Sequence, residues 1–165
     1  MKYLFLYCPE TANSDATNYF NSKGYQIAPL DEDPQTFWDW VTSVDQDGIL
    51  VLLSHGDENG PLMVKGHKGK DMSAGQITDF GARLVLRNIR LYLLSCETGK
   101  GAFAGSLAAT GATFIAPVGL AEFKANSVGV AVHSRGEANK LLGWYSHGIA
   151  APSRNSKPLV IPSDD

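Results

Sequence analysis

Short apolar runs alternate with segments of helical periodicity along most of the chain. Runs such as "YLFLY" and "ILVLL" are apolar at every position, which is typical of strands covered on both faces of a parallel sheet. Strands that alternate with helices predict an α/β fold, a three-layer sandwich around a mostly parallel sheet. The predicted strands cover residues 2–8, 25–30, 49–54, 90–95 and 113–118.

Start and stop signals place the helices between these strands. Asp33 before Pro34 and Ser73 before an apolar periodic segment are typical helix N-caps. Trp38 falls off the apolar face of its helix; we interpret it as a core residue, with a rim or partner surface as the alternative. The predicted helices cover residues 14–22, 34–44, 73–86, 101–110 and 137–142. We also expect a small hairpin within 57–70 around the apolar run 62–64, a strand or helix end at 127–132 and a loop-like tail from Ala151.

Composition limits the classes of function that the chain can serve. Its 165 residues suit one domain, residues 1–165, and a net charge of -3 argues against nucleic-acid or anionic-membrane partners. Two cysteines make no disulfide framework, and the histidines lie far from any Cys or Glu at zinc-ligand spacing. No apolar run approaches the roughly 18 residues of a membrane span. We expect a soluble cytoplasmic protein with no metal and no cofactor.

Two of the apolar strands stop at reactive side chains. "LVLLSHG" ends in His55 and Gly56, and "LYLLSCETG" ends in Cys96. Carboxyl ends of parallel strands share one edge of a sheet, and neighbouring strands lie about 4.8 Å apart. An imidazole beside a thiol can take its proton, while the backbone N–H groups of Gly56 and Cys96 can hold an oxyanion. The pattern predicts nucleophilic acyl transfer.

The same segments resemble the caspase-like cysteine peptidases. "VLLSHGDENGPLMVKG" is similar to the histidine segment of caspases, and "LYLLSCETGKGAFAGSLAATGATFIAPVG" is similar to the cysteine segment of CHAT domains. The resemblance implies a caspase-like fold, with His55 as the catalytic histidine, Cys96 as the nucleophile and Gly56 in the oxyanion hole. It further implies an endopeptidase that cleaves proteins or peptides through a thioester, with a possible protein activator or homodimer as partner.

The residues around Cys96 differ from the caspase pattern, so the substrate pocket cannot be copied from that family. Ser95 and Glu97 flank the cysteine and are candidates for substrate binding. In this family the loop after the first strand often contributes to the pocket, and here it carries Glu10 and Asp15. These carboxylates are candidates for selecting an Arg or Lys side chain.

Other interpretations stand beside the peptidase. An inactive caspase-like module could serve as a binding or scaffold protein. The segment "GKGAFAG" follows a strand and opens a helix, as a dinucleotide loop does, although its glycine spacing departs from that motif. We interpret Cys8 as a core residue and His67 as a solvated residue of a hairpin tip.

Overall fold

The computed structural model describes residues 1–10, 14–124, 129–134, 136, 140–152 and 159–162. Its strands are β1 (Tyr3–Tyr7), β2 (Gln26–Pro29), β3 (Ile49–Leu53), β4 (Gly56–Asp57), β5 (Gly60–Pro61), β6 (Arg90–Leu93), β7 (Thr113–Pro117), β8 (Leu120–Lys124), β9 (Gly129–His133) and β10 (Trp144–His147). Its helices are α1 (Ser14–Ser22), α2 (Pro34–Thr42), α3 (Ala74–Leu86) and α4 (Ala102–Ala109).

A six-stranded sheet organises the chain, in the order β10-β7-β6-β3-β1-β2. All neighbouring strands are parallel except β10, which is antiparallel to β7. Strand β3 lies between β1 and β6, and its Leu52 pairs with Leu6 on one side and Leu93 on the other. The prediction of an α/β sandwich with a mostly parallel sheet is confirmed.

Both faces of the sheet are covered, which explains why its strands are apolar throughout. Leu4 and Leu6 of β1 point to the face that packs against α2, α3 and α4, where Phe37 and Phe80 are fully buried. Phe5 between them points to the opposite face and stacks on Phe20 of α1, with ring centroids 4.4 Å apart.

Local sequence signals set the ends of the helices. The Asp33 carboxylate accepts a hydrogen bond from the Gln35 N–H at 2.9 Å, which confirms it as the N-cap of α2. Ser73 and Gln76 form a reciprocal capping box at the start of α3. Each cap satisfies backbone donors that the first turn of a helix cannot pair internally.

The structure decides between the two interpretations of Trp38 in favour of the core. Its side chain is only 8% exposed and packs edge-on against Phe37 and Phe80 at centroid distances of 5.0 and 6.1 Å. The Arg83 guanidinium lies 4.9 Å from the Trp38 ring centroid and covers it. Helix α3 therefore buries a residue that the periodicity of α2 alone assigns to a rim.

Two predictions differ from the structure. The hairpin predicted within the segment 57–70 is formed by β4 and β5, with Gly56 opposite Pro61, so its strands pair just before the apolar run 62–64 and not around it. Of the predicted helix 137–142, residues 140–142 are not helical, and residues 137–139 lie outside the described residues. Of the ambiguous segment 127–132, residues 129–132 belong to β9, and 127 and 128 lie outside the described residues.

No helix in the described ranges combines the length and apolar character that crossing a membrane requires.

Two helix glycines offer a matched test of this packing. A Cβ at Gly81 would lie 2.5 Å from the Cβ of Thr110, whereas a Cβ at Gly105 meets nothing within 4 Å. We expect Gly81→Ala to lower the free energy of unfolding by about 1–3 kcal/mol through this overpacking. Gly105→Ala, the control, should raise it by about 0.5–1 kcal/mol because alanine favours a helix. Urea denaturation measures both, and equal effects would contradict the packing of α3 on α4.

Candidate metal centre

The carboxyl ends of β1, β3 and β6 lie side by side and carry the candidate site. Cys8 directly follows β1, His55 lies two residues beyond β3, and Cys96 lies three residues beyond β6. The ladder continues past the strand ends, since the Cys8 N–H donates to the Leu53 carbonyl at 2.7 Å. On the other side the Leu94 N–H donates to the Leu52 carbonyl at 2.8 Å.

His55 belongs to a cluster with Cys8 and Glu10. One ligand atom from each of these three side chains lies within 4.8 Å of the other two. The His55 Nε2 is buried and has no hydrogen-bond partner in the part of the chain that the structure describes. Within those same residues no hydrogen bond joins His55 to Cys96. The fold therefore places His55 beside Cys8 and Glu10, which lie in the loop that follows β1.

The Cys8 thiol is hydrogen-bonded to the Glu10 carboxylate. The Cys8 Sγ donates to Glu10 Oε2 at 2.6 Å. Burial raises the pKa of Cys8, and the hydrogen bond to Glu10 raises it further, so the thiol keeps its proton. The same bond lowers the pKa of Glu10, and so does the Gly66 N–H, which donates to Glu10 Oε2 at 2.9 Å. The pair is a neutral thiol held against a carboxylate.

His55 is held as a neutral imidazole. Burial lowers its pKa, and the neighbouring His67 lowers it further. The two imidazole rings stack with centroids 3.6 Å apart and an interplanar angle of 34°. His67 itself is exposed, so it covers His55 from the solvent side. A neutral imidazole is the form that binds metal ions.

The donor atoms of the cluster match the preferences of zinc. Thiolate sulfur, imidazole nitrogen and carboxylate oxygen are the ligands that Zn²⁺ takes in proteins. Zinc–ligand bonds of about 2.0–2.3 Å in a tetrahedron put ligand atoms roughly 3.3–3.7 Å apart. The ligand atoms of Cys8, Glu10 and His55 lie within 4.8 Å of one another, which is close to that spacing.

A cleft of about 460 Å³ opens beside the cluster. Glu10 belongs to the cluster and also lines the cleft. Most of the other lining residues come from the loop after the β4–β5 hairpin. That loop is tied to the sheet edge through the hydrogen bond from Gly66 to Glu10 and through the Lys65 N–H, which donates to the Asp31 carbonyl at 2.9 Å. The lining residues are Glu10, Glu32, Val64, Lys65, Gly66, His67, Lys68 and Gly69.

Three of the other predicted site residues have structural contacts of their own. The Ser95 hydroxyl is buried 2.9 Å from the Ser54 hydroxyl. Glu97 has a left-handed backbone with φ of 60°, and its carboxylate lies 3.3 Å from Lys100 Nζ. A Cβ at Gly56 would lie 3.0 Å from both the Ser95 Cβ and the Thr98 Cγ2, which accounts for glycine there. The half-buried Cys96 lies between Ser95 and Glu97.

Of the two predicted pocket carboxylates, only Glu10 joins the cluster with His55. Asp15 lies exposed in the first turn of α1. The individual roles assigned to Cys96, Gly56, Ser95, Glu97 and Asp15 stay predictions, as do the predicted partners. The interpretations of Cys8 as a core residue and of His67 as a solvent-exposed residue are confirmed, but sequence reasoning did not place either of them beside His55. The signal available for Cys8 was its position directly after a buried strand, the same position that drew attention to His55 and Cys96.

The glycine-rich segment 99–105 has a packing explanation. A Cβ at Gly101, the N-cap of α4, would lie 2.6 Å from the Cβ of Glu58. The Phe103 N–H in the first turn donates to the Glu58 carbonyl at 3.4 Å. The β4–β5 hairpin therefore covers the end of α4 where a nucleotide phosphate would have to bind.

Comparison with known proteins gives only distant structural similarity. No protein-family model matches the chain, and no curated protein sequence matches it. Similar solved structures include an aromatic amino acid aminotransferase with 3-indolepropionic acid, at 9% identity and a TM-score of 0.45 over 68% of this chain and 30% of that one. The aspartate aminotransferase from Trypanosoma cruzi has 9% identity and a TM-score of 0.43 over 69% of this chain and 31% of that one. The cytoplasmic aspartate aminotransferase from Giardia lamblia has 15% identity and a TM-score of 0.43 over 69% and 30%.

These neighbours are aminotransferases and not caspase-like peptidases. The recognition of a caspase-like or CHAT-like family is therefore wrong, and with it the endopeptidase function, its inactive alternative and the classification as a cysteine hydrolase. The chain spans about a third of the length of the structures that it matches. At this level of similarity, the comparison transfers no activity to this chain.

The two thiols should differ strongly in reactivity. Cys8 is fully buried and its pKa is raised, whereas Cys96 is half-buried. Because the thiolate is the reactive form, we expect Ellman's reagent to modify Cys96 quickly in the metal-free protein and Cys8 only on unfolding. The Cys96→Ser variant should show no fast phase. Two equally fast thiols in the native protein would contradict the burial of Cys8.

Proposed function

We propose that this protein binds a zinc ion through Cys8, Glu10 and His55. The observation that supports the proposal is the convergence of the three ligand atoms within 4.8 Å at the carboxyl edge of the sheet. The sequence predicted no metal ligands because the three residues lie on two separate strand ends. The proposal replaces that expectation.

The chemistry of the cluster favours a metal over a nucleophilic role for Cys8. A buried thiol with a raised pKa is a poor nucleophile, since little thiolate is present. A bound zinc ion deprotonates a coordinating thiol outright. Zinc would take the position of the proton that now lies between Cys8 and Glu10, and both groups would then carry the negative charge that a divalent cation requires.

The backbone holds the proposed ligands in place before any metal binds. Cys8 is fixed by the hydrogen bond from its N–H to Leu53, and β3 carries the chain directly on to His55. Glu10 is held by the Gly66 N–H. The unpartnered Nε2 of His55 is a buried polar atom whose hydrogen-bonding capacity a metal could use directly or through a solvent ligand.

Zinc titration by calorimetry, with cobalt as a spectroscopic probe, tests the proposal. We expect Cys8→Ser and His55→Ala to weaken zinc binding by more than about 100-fold, because even the loss of a ligand's hydrogen-bond partner costs about 10–100-fold. The cobalt complex should show a thiolate-to-cobalt charge-transfer band that disappears in Cys8→Ser. Cys96→Ser is the matched control and should keep both the affinity and the band.

Two results would refute the zinc site. One is a wild-type protein that binds neither zinc nor cobalt with a thiolate ligand. The other is a charge-transfer band that Cys96→Ser abolishes and Cys8→Ser retains. Urea denaturation without metal should accompany each variant, so that loss of binding is not confused with loss of folding.

A further inference from the structure

We propose that His67 is the fourth protein ligand of the same zinc ion, so that metal binding fastens the loop of residues 64–69 to the edge of the sheet. This inference rests on the proposed function. Cys8, Glu10 and His55 fill three of the four positions of a tetrahedral zinc ion. A further protein ligand would make the site a closed, structural one.

His67 lies next to the cluster. Its imidazole ring stacks on that of His55 with centroids 3.6 Å apart. No nitrogen of His67 lies within 4.8 Å of all three other donors at once, so its ring has to rotate to join them on one metal ion. His67 is exposed, and this rotation therefore needs no opening of the core.

The backbone of the loop already contacts a proposed ligand. Gly66, directly before His67, donates its N–H to Glu10 Oε2 at 2.9 Å. Gly66 has a φ of +77°, a conformation that glycine adopts without strain, and this turn brings His67 over His55. In the proposed complex, a rotation of the His67 side chain places one of its ring nitrogens on the metal.

Charge balance favours a neutral fourth ligand. The Cys8 thiolate and the Glu10 carboxylate together offset the double charge of Zn²⁺, and His55 adds none. A second neutral imidazole leaves the centre with no net charge, which avoids the cost of a net charge beside the fully buried Cys8. An anionic fourth ligand would leave that centre with an excess negative charge.

Cobalt binding to the full chain, with matched variants, tests this inference. We expect His67→Ala to weaken metal binding by at least about 10-fold and to change the cobalt d–d spectrum, because an exchangeable solvent ligand replaces the ring. Added imidazole should restore the wild-type spectrum in His67→Ala and leave the wild-type protein unchanged. Lys68→Ala, which alters the next exposed residue of the same cleft, should match the wild type.

The outcomes separate this inference from the zinc site itself. If the wild type lacks the thiolate-to-cobalt band, the zinc site fails and the role of His67 fails with it. If the wild type shows the band and His67→Ala keeps its affinity and d–d spectrum, only the role of His67 is overturned. The fourth position would then face the cleft.

Discussion

The placement of β3 between β1 and β6 is the constraint on which the rest of the structure depends. Leu50 and Leu52 of β3 are fully buried, and the strand pairs on both sides through parallel ladders. Parallel pairing brings the ends of all three strands to the same edge. Cys8, Glu10, His55 and Cys96 all lie within three residues of one of those ends.

The two sides of that edge have different properties. Beyond β6, the N-terminal end of α4 is packed against the hairpin at Glu58, and the Ser54 and Ser95 hydroxyls satisfy one another. On the β1 side, a thiol, a carboxylate and an imidazole converge beside an open cleft. The first arrangement stabilises the fold, while the second leaves the buried Nε2 of His55 unsatisfied among the described residues.

A metal at this point would connect binding with stability. Cys8 and His55 follow two strands that lie next to each other in the sheet, and Glu10 contacts the loop through Gly66. A ligand that binds only the folded state stabilises it by about 2.7 kcal/mol when its concentration is 100 times the dissociation constant. The proposed zinc ion would therefore stabilise the junction between the edge of the sheet and the loop of residues 64–69, where the backbone hydrogen bonds of the sheet are few.

The sequence by itself determined the α/β class, most strand and helix positions and the N-caps at Asp33 and Ser73, because periodicity and capping are properties of neighbouring residues. It also located the carboxyl edge of the sheet as the place of the candidate site, because His55 follows β3 and Cys96 follows β6. Only the tertiary structure decided that His55 lies beside the end of β1, since strand order depends on packing between distant segments. The same reason explains the burial of Trp38 by α3 and the convergence of Cys8, Glu10 and His55, none of which sequence spacing contains.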